Sequence, residues 1–484
     1  MGNKISIIIF FFFVICFTVF SCEKDKGNEQ KPISEEFILT SVIPNSGYIG
    51  QRVIITGTGI SKNIQIFFDQ KRANIIELDD KQVIVEVPDV QVYGEIAVVG
   101  RVDKEESNKL RFNNKKKEEE EDPDRVFDSQ GHEIHPQSLE LTFLKRTGPF
   151  TLLQDGNIFT VAEGGSTASI SMDKGMNWDT YSLFDPTRFS ALSPVVIQTK
   201  KGTIIVGFSN GREISPLNWN KTTHTYNVNA KLPTYIIYST DNGKKWSNPI
   251  KLHDDWTGMN RDIMETKDGN IVFATMKMRN NLGRHCVLTY VSKDDGRSWT
   301  PSNVLDEPTC AGDHSGLMES TLVQLHDGRL WMLLRTNWDY FYETYSSDDG
   351  LTWSEHTKTA IDASSSPGAL ERLASGRLVL VWDRLYHEEK TSIGRLGGDK
   401  NLSEVQASWQ RDELSMMYSD DDGETWSAPF ILAKNIEFLT NPWDTKKWLS
   451  YPFIFEVSPG ELWITTGHGN LKIAIKEVDI VAKE

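Results

Sequence analysis

The sequence predicts an all-β protein, most of which repeats one small antiparallel sheet. The first observation is a pattern, S-x-D-x-G-x-x-W, whose starts fall 68, 53, 54 and 73 residues apart. The second is a series of apolar runs that end in tight turns such as Asp155-Gly156 and Asp327-Gly328. The third is that helical periodicity of any length is hard to find. The five copies of the pattern begin at Ser171, Ser239, Ser292, Ser346 and Ser419.

Each copy of the pattern is interpreted as a fastener for a β-hairpin. In the copy Ser346-x-Asp348-x-Gly350-x-x-Trp353, we expect Ser and Asp to accept hydrogen bonds from turn amides. Gly would supply a positive φ, and Trp would pack the turn onto the sheet edge. Five copies in order therefore predict five turns of the same kind.

These copies are similar to Asp boxes, and the chain from about residue 125 to its end resembles the sialidase superfamily of β-propellers. The resemblance implies six four-stranded blades, since roughly 360 residues divided by six gives about 60 per blade. The sixth blade, which has no recognisable box, would be closed by pairing the first and last strands. Asp boxes also occur in propellers that only bind, so they argue for fold and not for activity.

Composition limits the classes of partner. The chain has 484 residues and a formal net charge of −16, so binding of nucleic acid through a basic field is not expected. An acidic protein can bind an anionic sugar only if its pocket concentrates arginine locally. The resemblance to sialidases implies a glycan as the partner, and no cofactor is expected.

The N-terminus reads as a lipoprotein signal peptide, residues 1–21. Lys4 precedes the apolar run Ile5–Phe20, which is too short for a comfortable membrane span. Ser21-Cys22 fits a processing site at which the cysteine is acylated, so membrane contact would come through the lipid alone. An uncleaved short anchor is the alternative. We expect a protein anchored to the outer membrane of the cell envelope, with surface exposure and neighbouring glycan-uptake proteins as open possibilities.

Four further segments follow. Residues 22–36 are polar and predict a tether. Residues 37–112 contain short β-rich runs broken by Gly and Asn, and they resemble an IPT/TIG immunoglobulin-like β-sandwich with the role of a spacer. Residues 113–124, NNKKKEEEEDPD, predict a charged linker. Residues 125–484 would form the propeller, with a closing strand between Val126 and Lys145.

The two cysteines of the folded part are Cys286 and Cys310. They would pair in an oxidising envelope, and two buried free thiols are the alternative. Neither lies in a Cys-x-x-Cys or Cys/His cluster, so no metal site is predicted.

The resemblance implies a particular chemistry. Sialidases act on a sugar with a carboxylate on its anomeric carbon, and three arginines hold that carboxylate because the guanidinium fork binds it bidentately. A carboxylate nucleophile would be repelled, so a Tyr activated by a Glu attacks instead. An Asp normally serves as the acid and base.

Four positions match the binding part of this scheme. Arg335 follows Glu319 by sixteen residues in the family pattern E-x-x-x-V-x-L-x-D-G-R-L-x-x-x-x-R, so Arg335 matches a carboxylate clamp and Glu319 the base. Arg411 stands eight residues before Ser419, as the third family arginine does. Arg146, in the opening strand, resembles the family R-I-P with one extra residue.

The nucleophile is predicted from a segment that resembles the family, whereas the family's acid has no counterpart at its usual position. Tyr451, in Ser450-Tyr451-Pro452-Phe453, resembles the nucleophile segment of the last blade. No Asp is available after Ala162-Glu163-Gly164-Gly165, where the family has its acid and base, which is a clear departure. Asp262, Asp313 and His314 are the candidates for the missing group.

The leading hypothesis is an exo-acting glycoside hydrolase that removes a terminal acidic sugar, sialic acid or similar, from glycans. The missing Asp and the attached sandwich also suggest a non-catalytic glycan-binding lipoprotein. A polysaccharide lyase or another glycosidase on the same propeller is the third hypothesis, since His314 or Tyr451 would then abstract a proton.

Overall fold

The computed structural model describes residues 36–115, 125–280, 282–385, 395–396, 407–436 and 448–481. The chain divides into two compact units, Met1–Asp122 and Pro123–Glu484. The predicted signal peptide, Cys22, residues 22–35 of the tether and residues 116–124 of the linker lie outside the described residues. In the described part of the chain, no helix is long and apolar enough to cross a membrane.

The first unit is a sandwich of two sheets. Its strands are β1 (Ile38–Ile43), β2 (Ser46–Gly47), β3 (Arg52–Thr58), β4 (Gln65–Phe68), β5 (Lys71–Arg72), β6 (Asn74–Leu78), β7 (Gln82–Glu86), β8 (Gly94–Val102), β9 (Glu105–Glu106) and β10 (Leu110–Asn114). One sheet has the order β1-β3-β7-β6, and the other has the order β2-β10-β8-β4-β5 with β9 beside β8. Alternate residues such as Val53 and Ile55 point inward, and Phe68 and Phe112 meet edge-to-face at 5.2 Å between ring centres. The predicted immunoglobulin-like sandwich is confirmed.

The second unit is built from antiparallel sheets of four strands. Three short strands come first: β11 (Val126–Phe127), β12 (His132–Ile134) and β13 (Leu139–Glu140). Four sheets then follow in chain order: β14 (Phe150–Leu152), β15 (Ile158–Val161), β16 (Thr167–Ser171), β17 (Asp179–Ser182); β18 (Ala191–Gln198), β19 (Ile204–Asn210), β20 (Thr234–Ser239), β21 (Ile250–His253); β22 (Asp262–Glu265), β23 (Ile271–Arg279), β24 (Arg284–Ser292), β25 (Thr300–Pro301); β26 (Met318–Gln324), β27 (Leu330–Arg335), β28 (Tyr340–Ser346), β29 (Thr357–Asp362).

The remaining strands form two more sheets and one separate pair. They are β30 (Ala369–Arg372), β31 (Leu378–Trp382), β32 (Arg395–Leu396), β33 (Ala407–Ser408), β34 (Glu413–Ser419), β35 (Phe430–Asn435), β36 (Pro452–Ser458), β37 (Glu461–Thr466) and β38 (Lys472–Lys476). Strands β30-β31-β34-β35 form one sheet, which β12 and β11 extend, and β36-β37-β38 form the other with β13. Strands β32 and β33 pair with each other. The described helices are a 3₁₀ turn at Gly211–Glu213 and α1 (Glu477–Ile480).

The first strands of the sheets form a closed ring. Within the described residues, β14, β18, β22, β26, β30 and β36 each neighbour the next, and β36 returns to β14. The second strands β19, β27 and β31 are buried along their whole length because sheets pack on both of their faces. This ring of radial sheets is the arrangement of a β-propeller, as the sequence predicts.

The ring is closed by strands from both ends of the unit. β13 pairs antiparallel with β38, with Leu139 opposite Ala474 and Glu140 opposite Ile473. The prediction of a closing strand between Val126 and Lys145 is therefore confirmed. Because the closing pair joins residues far apart in sequence, it ties the first sheet to the last.

The five Asp boxes lie in the turns between the third and fourth strands of five sheets. In the fourth sheet, Ser346 Oγ donates to Asp348 at 2.8 Å and accepts from Gly350 N at 2.9 Å. Gly350 has φ +85°, and Trp353 Nε1 donates to Gly350 O at 3.1 Å. The predicted fastener chemistry is confirmed, and these turns lie at the opposite end of the sheets from Arg335, which ends a second strand.

Replacing Ser346 by alanine should destabilise the propeller without touching its central face. The change leaves the buried amide of Gly350 without its acceptor, which costs about 1–3 kcal/mol of unfolding free energy. Chemical denaturation followed by tryptophan fluorescence measures it. Thr357→Ala, at an exposed position of the same sheet, is the control. Equal stability of the two variants would contradict this role for the box serine.

Candidate active site

Tyr451, Glu319 and Arg335 form a closed triangle of side chains at one end of the ring. Tyr451 Oη donates to Glu319 Oε1 at 3.2 Å and accepts from an Arg335 amino group at 3.1 Å. The same amino group donates to Glu319 Oε2 at 2.6 Å. All three side chains are buried, with 9%, 8% and 3% exposure respectively. The structure therefore brings together three residues that the sequence predicts for one site.

A β-bulge explains why Glu319 and Arg335 meet. β26 and β27 form a hairpin in which Met318 lies opposite Arg335, and the register shifts between Met318 and Ser320. The extra residue in this shift is Glu319, so its side chain lies beside that of Arg335. The spacing of sixteen residues is thus the length of one hairpin measured from bulge to strand end.

Tyr451 comes from the last sheet, immediately before β36. Its φ of +62° is unusual for a residue with a bulky side chain. The conformation is held by Gly467 N, which donates to Tyr451 O at 2.9 Å, and by the ring of His468, which lies edge-on at 4.7 Å between centres. Backbone strain of this kind persists where the surrounding structure fixes it, as it does at many functional sites.

The charges in the triangle stabilise one another. Burial is the largest single influence on Glu319 and would raise its pKa, but the charge and hydrogen bond of Arg335, together with the charges of His285 and Arg261, lower that pKa below its usual value. Burial is likewise the largest influence on Arg335 and would lower its pKa, but the charges and hydrogen bonds of Glu319 and Tyr451 together raise it. Glu319 is therefore an ionised carboxylate in contact with a phenol, which is the arrangement a general base requires.

Arg411 lies next to this triangle and has no ion pair among the described residues. It is 1% exposed, one amino group donates to Ser365 O at 2.5 Å, and its Nε has no hydrogen-bond partner. Its guanidinium carbon lies 4.6 Å and 4.3 Å from the ring centres of Trp409 and Trp448. Burial lowers the pKa of Arg411 to about 10. A buried cation of this kind is suited to an anionic ligand.

Arg261 is the third guanidinium of the cluster, and the sequence did not single it out. Its guanidinium carbon lies 5.4 Å from the ring centre of Tyr451, and one amino group donates to Pro452 O at 2.6 Å. Its Nε is buried without a hydrogen-bond partner. Arg261 precedes β22, the first strand of the third sheet, and this position at the start of an inner strand is the signal that would have identified it.

The structure does not bring Arg146 into the cluster. Arg146 is half-buried in the segment that leads to β14, and within the described residues it makes no hydrogen bond or ion pair with Tyr451, Glu319 or Arg335. The prediction placed Arg146 by its likeness to R-I-P with one extra residue. The role of Arg146 as a clamp for a substrate carboxylate stays a prediction.

Asp262 lies at a different level from the triangle, in a cavity of about 120 Å³ inside the ring. Its Oδ2 accepts from Thr321 Oγ1 at 2.9 Å and from Leu322 N at 2.8 Å, both on β26. Burial raises the pKa of Asp262 to about 6. Its carboxylate thus joins two inner strands, and this contact explains it without a role as the acid.

Glu371, on β30, lies in the same cavity and should make stability depend on pH. Glu371 is exposed to solvent, but the protein atoms around its carboxyl, then the negative charges of Asp262 and Glu456, disfavour ionisation and raise its pKa to about 8. A carboxyl whose pKa is raised on folding stabilises the fold while it is protonated, and this stabilisation is lost as pH rises from about 4.5 through about 8. Glu371→Gln should therefore raise the thermal midpoint at pH 9 and leave it unchanged at pH 4. Glu77→Gln, on the exposed part of β6, is the control, and an equal effect at both pH values would contradict the prediction.

His314 lies at the rim of the site. Its side chain is 64% exposed, its Nδ1 lies 3.3 Å from Asp313 Oδ1, and its ring contacts Trp409 edge-on at 6.4 Å between centres. His314 is thus open to solvent and Asp313 is half-buried, on a loop between β25 and β26. The role of His314 as an acid stays a prediction.

Two serine residues and one buried Asp complete the arginine pocket. Ser365 Oγ accepts from two nitrogens of Arg335, at 3.1 Å and 3.4 Å, and donates to Asn337 at 2.6 Å. Ser364 N donates to Asp383 O at 2.9 Å. Burial raises the pKa of Asp383 to about 8. The segment that contains these serines therefore fixes Arg335 and Arg411 relative to each other.

Cys286 and Cys310 are both buried free thiols. Burial raises the pKa of each to about 12. Of the two alternatives for these cysteines, the structure shows the unpaired one. In the described ranges, no group of three or more His, Cys, Asp and Glu side chains is placed to hold a metal ion.

Two family models match the chain. The BNR repeat-like domain matches residues 194–464, and the IPT/TIG domain matches residues 38–114. The first covers most of the ring of sheets, and the second covers the sandwich.

Two curated relatives are sialidases. The sialidase of Clostridium perfringens is 29% identical over 235 residues, which are 42% of this chain and 58% of the relative. The sialidase of Paraclostridium sordellii is 22% identical over 344 residues, which are 66% of this chain and 78% of the relative. The chain thus spans little more than half the length of the first relative.

Solved structures with a similar outline include the Hadza microbial sialidase and a protein of unknown function from Dyadobacter fermentans. The former is 16% identical with a TM-score of 0.47, over 83% of this chain and 77% of that one. The latter is 15% identical with a TM-score of 0.46, over 70% of this chain and 98% of that one. Because both scores lie below 0.5, the fold rests on the family models and on the observed sheet topology.

Proposed function

We propose that this chain, which belongs to the BNR repeat-like domain family, is a sialidase-like glycoside hydrolase that removes a terminal acidic sugar from glycans. Sialic acid is the first candidate for that sugar, since both curated relatives are sialidases.

The observation that carries the proposal is the triangle of Tyr451, Glu319 and Arg335. A phenol that donates to an ionised carboxylate at 3.2 Å can transfer its proton as it attacks. Arg335, at 3.1 Å from the same phenol oxygen, stabilises the negative charge that develops there. Tyr451 is therefore the nucleophile and Glu319 its base.

The charge balance of the site favours an anionic sugar. Three guanidinium groups, from Arg261, Arg335 and Arg411, lie around Tyr451, and within the described residues the ion pair among them is that of Arg335 with Glu319. A carboxylate on the sugar would supply hydrogen-bond acceptors for the unpartnered Nε atoms of Arg261 and Arg411. It would also repel a carboxylate nucleophile, which gives a reason for a neutral Tyr in that role.

The direct test is to incubate the purified full chain with sialylated and uronic-acid glycans and to identify released sugars by mass. Release of a free acidic monosaccharide from the non-reducing end supports the proposal. Release of an unsaturated sugar would instead identify a lyase, and release of a neutral sugar would reject the acidic substrate.

A non-catalytic glycan-binding role is the second candidate, and one observation favours it. The loop after Ala162-Glu163 contains no Asp, the residue that serves as acid and base in the family the chain resembles. Retention of a sialylated glycan on the immobilised protein without any released product would support binding alone.

The lipid anchor at Cys22 is proposed on sequence grounds, since Cys22 lies outside the described residues. Metabolic labelling with an alkyne fatty acid tests it. Label on the wild type that is absent from Cys22→Ser supports an envelope lipoprotein, and equal label on both rejects the anchor.

A further inference from the structure

The proposed reaction, on which this inference rests, needs a proton at the leaving oxygen. An ordinary sugar alcohol is a poor leaving group unless an acid protonates it as the bond breaks. Glu319 cannot supply that proton, because it receives one from Tyr451. Asp262 accepts two hydrogen bonds from β26 and lines the cavity inside the ring, whose lining includes none of Tyr451, Glu319 and Arg335, so another group must serve.

We propose that Glu163 is the general acid and base of this site. Glu163 lies two residues after the end of β15, in the short loop between β15 and β16. Arg335 is the last residue of β27, which is the second strand of its own sheet as β15 is of the first. Because the sheets repeat one strand order around the ring, these two strand ends belong to the same face of the ring.

The position of Glu163 is built by a bulge in the neighbouring sheet. The pairing of β18 with β19 shifts between Leu192 and Val195, and Ser193 within that shift has φ +48°. The shift turns the amide of Ser193 out of the ladder, and that amide donates to both oxygens of Glu163, at 3.1 Å and 3.0 Å. The carboxyl group is therefore aimed by the fold and not left to the loop.

A second contact ties this position to the arginine cluster. Asn260, which is 2% exposed, donates to Ser193 O at 3.3 Å. Asn260 directly precedes Arg261, whose guanidinium lies over Tyr451. The charge of Arg261 acts on the Glu163 carboxyl. Glu163, Ser193, Asn260 and Arg261 thus form one connected wall beside the nucleophile.

A general acid must be within reach of the leaving group and must carry a proton, and Glu163 meets both requirements. Its side chain is open to solvent, whereas Asp383 is 1% exposed and cannot reach a leaving group. The side chain is open to solvent on one side only, and the protein atoms around it disfavour the charged form and raise the pKa of Glu163, against the Ser193 amide and Arg261, which both lower it. The carboxyl therefore keeps a larger protonated fraction towards neutral pH than an ordinary Glu.

The two histidines nearest Tyr451 and Glu319 do not fit this role. Burial, followed by the charge of Arg411, lowers the pKa of His468 to about 4. Burial, followed by His314, lowers the pKa of His285 to about 4. Both imidazoles are thus neutral at pH 7 and hold no easily released proton.

The two steps balance as follows. In the first, Tyr451 Oη bonds to the anomeric carbon, the phenol proton passes to Glu319, the glycosidic C–O bond breaks, and the Glu163 proton passes to the departing oxygen. In the second, Glu163 takes a proton from water, the hydroxyl oxygen bonds to the anomeric carbon, the bond to Tyr451 breaks, and Glu319 returns its proton to Tyr451. The net change is hydrolysis of one glycosidic bond.

The experiment compares wild type with Glu163→Gln on two acidic glycosides, an alkyl glycoside and an aryl glycoside whose phenol leaves without protonation. Glutamine keeps an oxygen acceptor for the Ser193 amide, so the fold should be retained. We expect kcat/KM to fall on the order of 10²-fold or more for the alkyl glycoside and less than about 10-fold for the aryl one. With the aryl glycoside, the variant should accumulate a covalent sugar adduct, visible by intact mass.

The matched control is Glu265→Gln. Glu265 likewise accepts a backbone amide of the second sheet, Lys200 N at 2.7 Å, but it lies at the far end of β22. Glu265→Gln should leave both glycosides unaffected. Glu163→Asp retains a carboxyl and should recover part of the activity on the alkyl glycoside. This variant still tests the assignment if glutamine perturbs folding.

Equal losses on the two glycosides, or no loss on either, would overturn the assignment of Glu163. If the wild type is active and either of these results is seen, the proposed hydrolase function stands and only the role of Glu163 is excluded. Inactivity of the wild type on both glycosides would reject the proposed function, and the assignment with it.

Discussion

Replacing Tyr451 by phenylalanine should reduce turnover of an acidic glycoside by roughly 10³-fold or more, because the change removes the attacking oxygen. The phenyl ring still fills the same space beside His468, so the fold should persist. A second measurement identifies the bond. A fluorinated acidic glycoside with a good leaving group should label the wild type at Tyr451, as peptide mass spectrometry would show, and should leave the variant unlabelled.

Tyr290→Phe is the matched control for this change. Tyr290 is also buried, and its hydroxyl donates to Leu252 O at 3.2 Å, outside the site. Its loss should leave turnover within a few-fold of wild type. Undiminished turnover in Tyr451→Phe, or a covalent label on another residue, would remove Tyr451 from the nucleophile role.

Replacing Arg411 by methionine should lower kcat/KM for acidic sugars without lowering the free energy of unfolding. Arg411 is 1% exposed and has no ion pair among the described residues, so the fold gains little from its charge. A substrate carboxylate, by contrast, would lose a buried charged partner, and kcat/KM should fall by roughly 10²-fold or more. The free energy of unfolding should stay within about 1 kcal/mol of wild type or rise.

Arg384→Met provides the opposite pattern. Arg384 is also buried, but its guanidinium donates to Glu413 Oε1 at 2.7 Å. Removing Arg384 breaks a buried ion pair and should lower the free energy of unfolding by about 3–5 kcal/mol. Urea denaturation and steady-state kinetics on both variants make the comparison. If Arg411→Met destabilised the fold as strongly as Arg384→Met, Arg411 would be structural and not a ligand for substrate.

The sequence identified Glu319 and Arg335 correctly as neighbours because both belong to one hairpin. The turn and the register of a hairpin determine which residues lie opposite each other, so the spacing of sixteen residues is enough to predict this contact. Tyr451 was identified by a different route, the likeness of its segment to the last blade of the family. Its contact with Glu319 spans 132 residues of chain, so no local pattern encodes that distance.

Arg146 and Arg261 show which contacts the sequence does not determine. Arg146 was chosen by a motif that needed one extra residue to fit, and an inserted residue changes the direction in which a side chain points. Arg261 had no motif. Its guanidinium reaches Tyr451 because the third and last sheets face each other across the ring, which is a consequence of closure and not of local sequence.

The sequence by itself determined the all-β class, the five turns of the Asp-box type, the closing strand and the Glu319–Arg335 pair. The turns, the strands and the Glu319–Arg335 pair depend on contacts between residues close in sequence or on turn chemistry in a few adjacent residues, whereas the closing strand was predicted from the family resemblance. Tertiary structure alone decided that Arg261 lies over Tyr451, that Asp262 bonds to β26, and that Glu163 receives the Ser193 amide. These contacts join different sheets, and their geometry exists only once the ring has closed and buried the charges that the isolated segments leave in water.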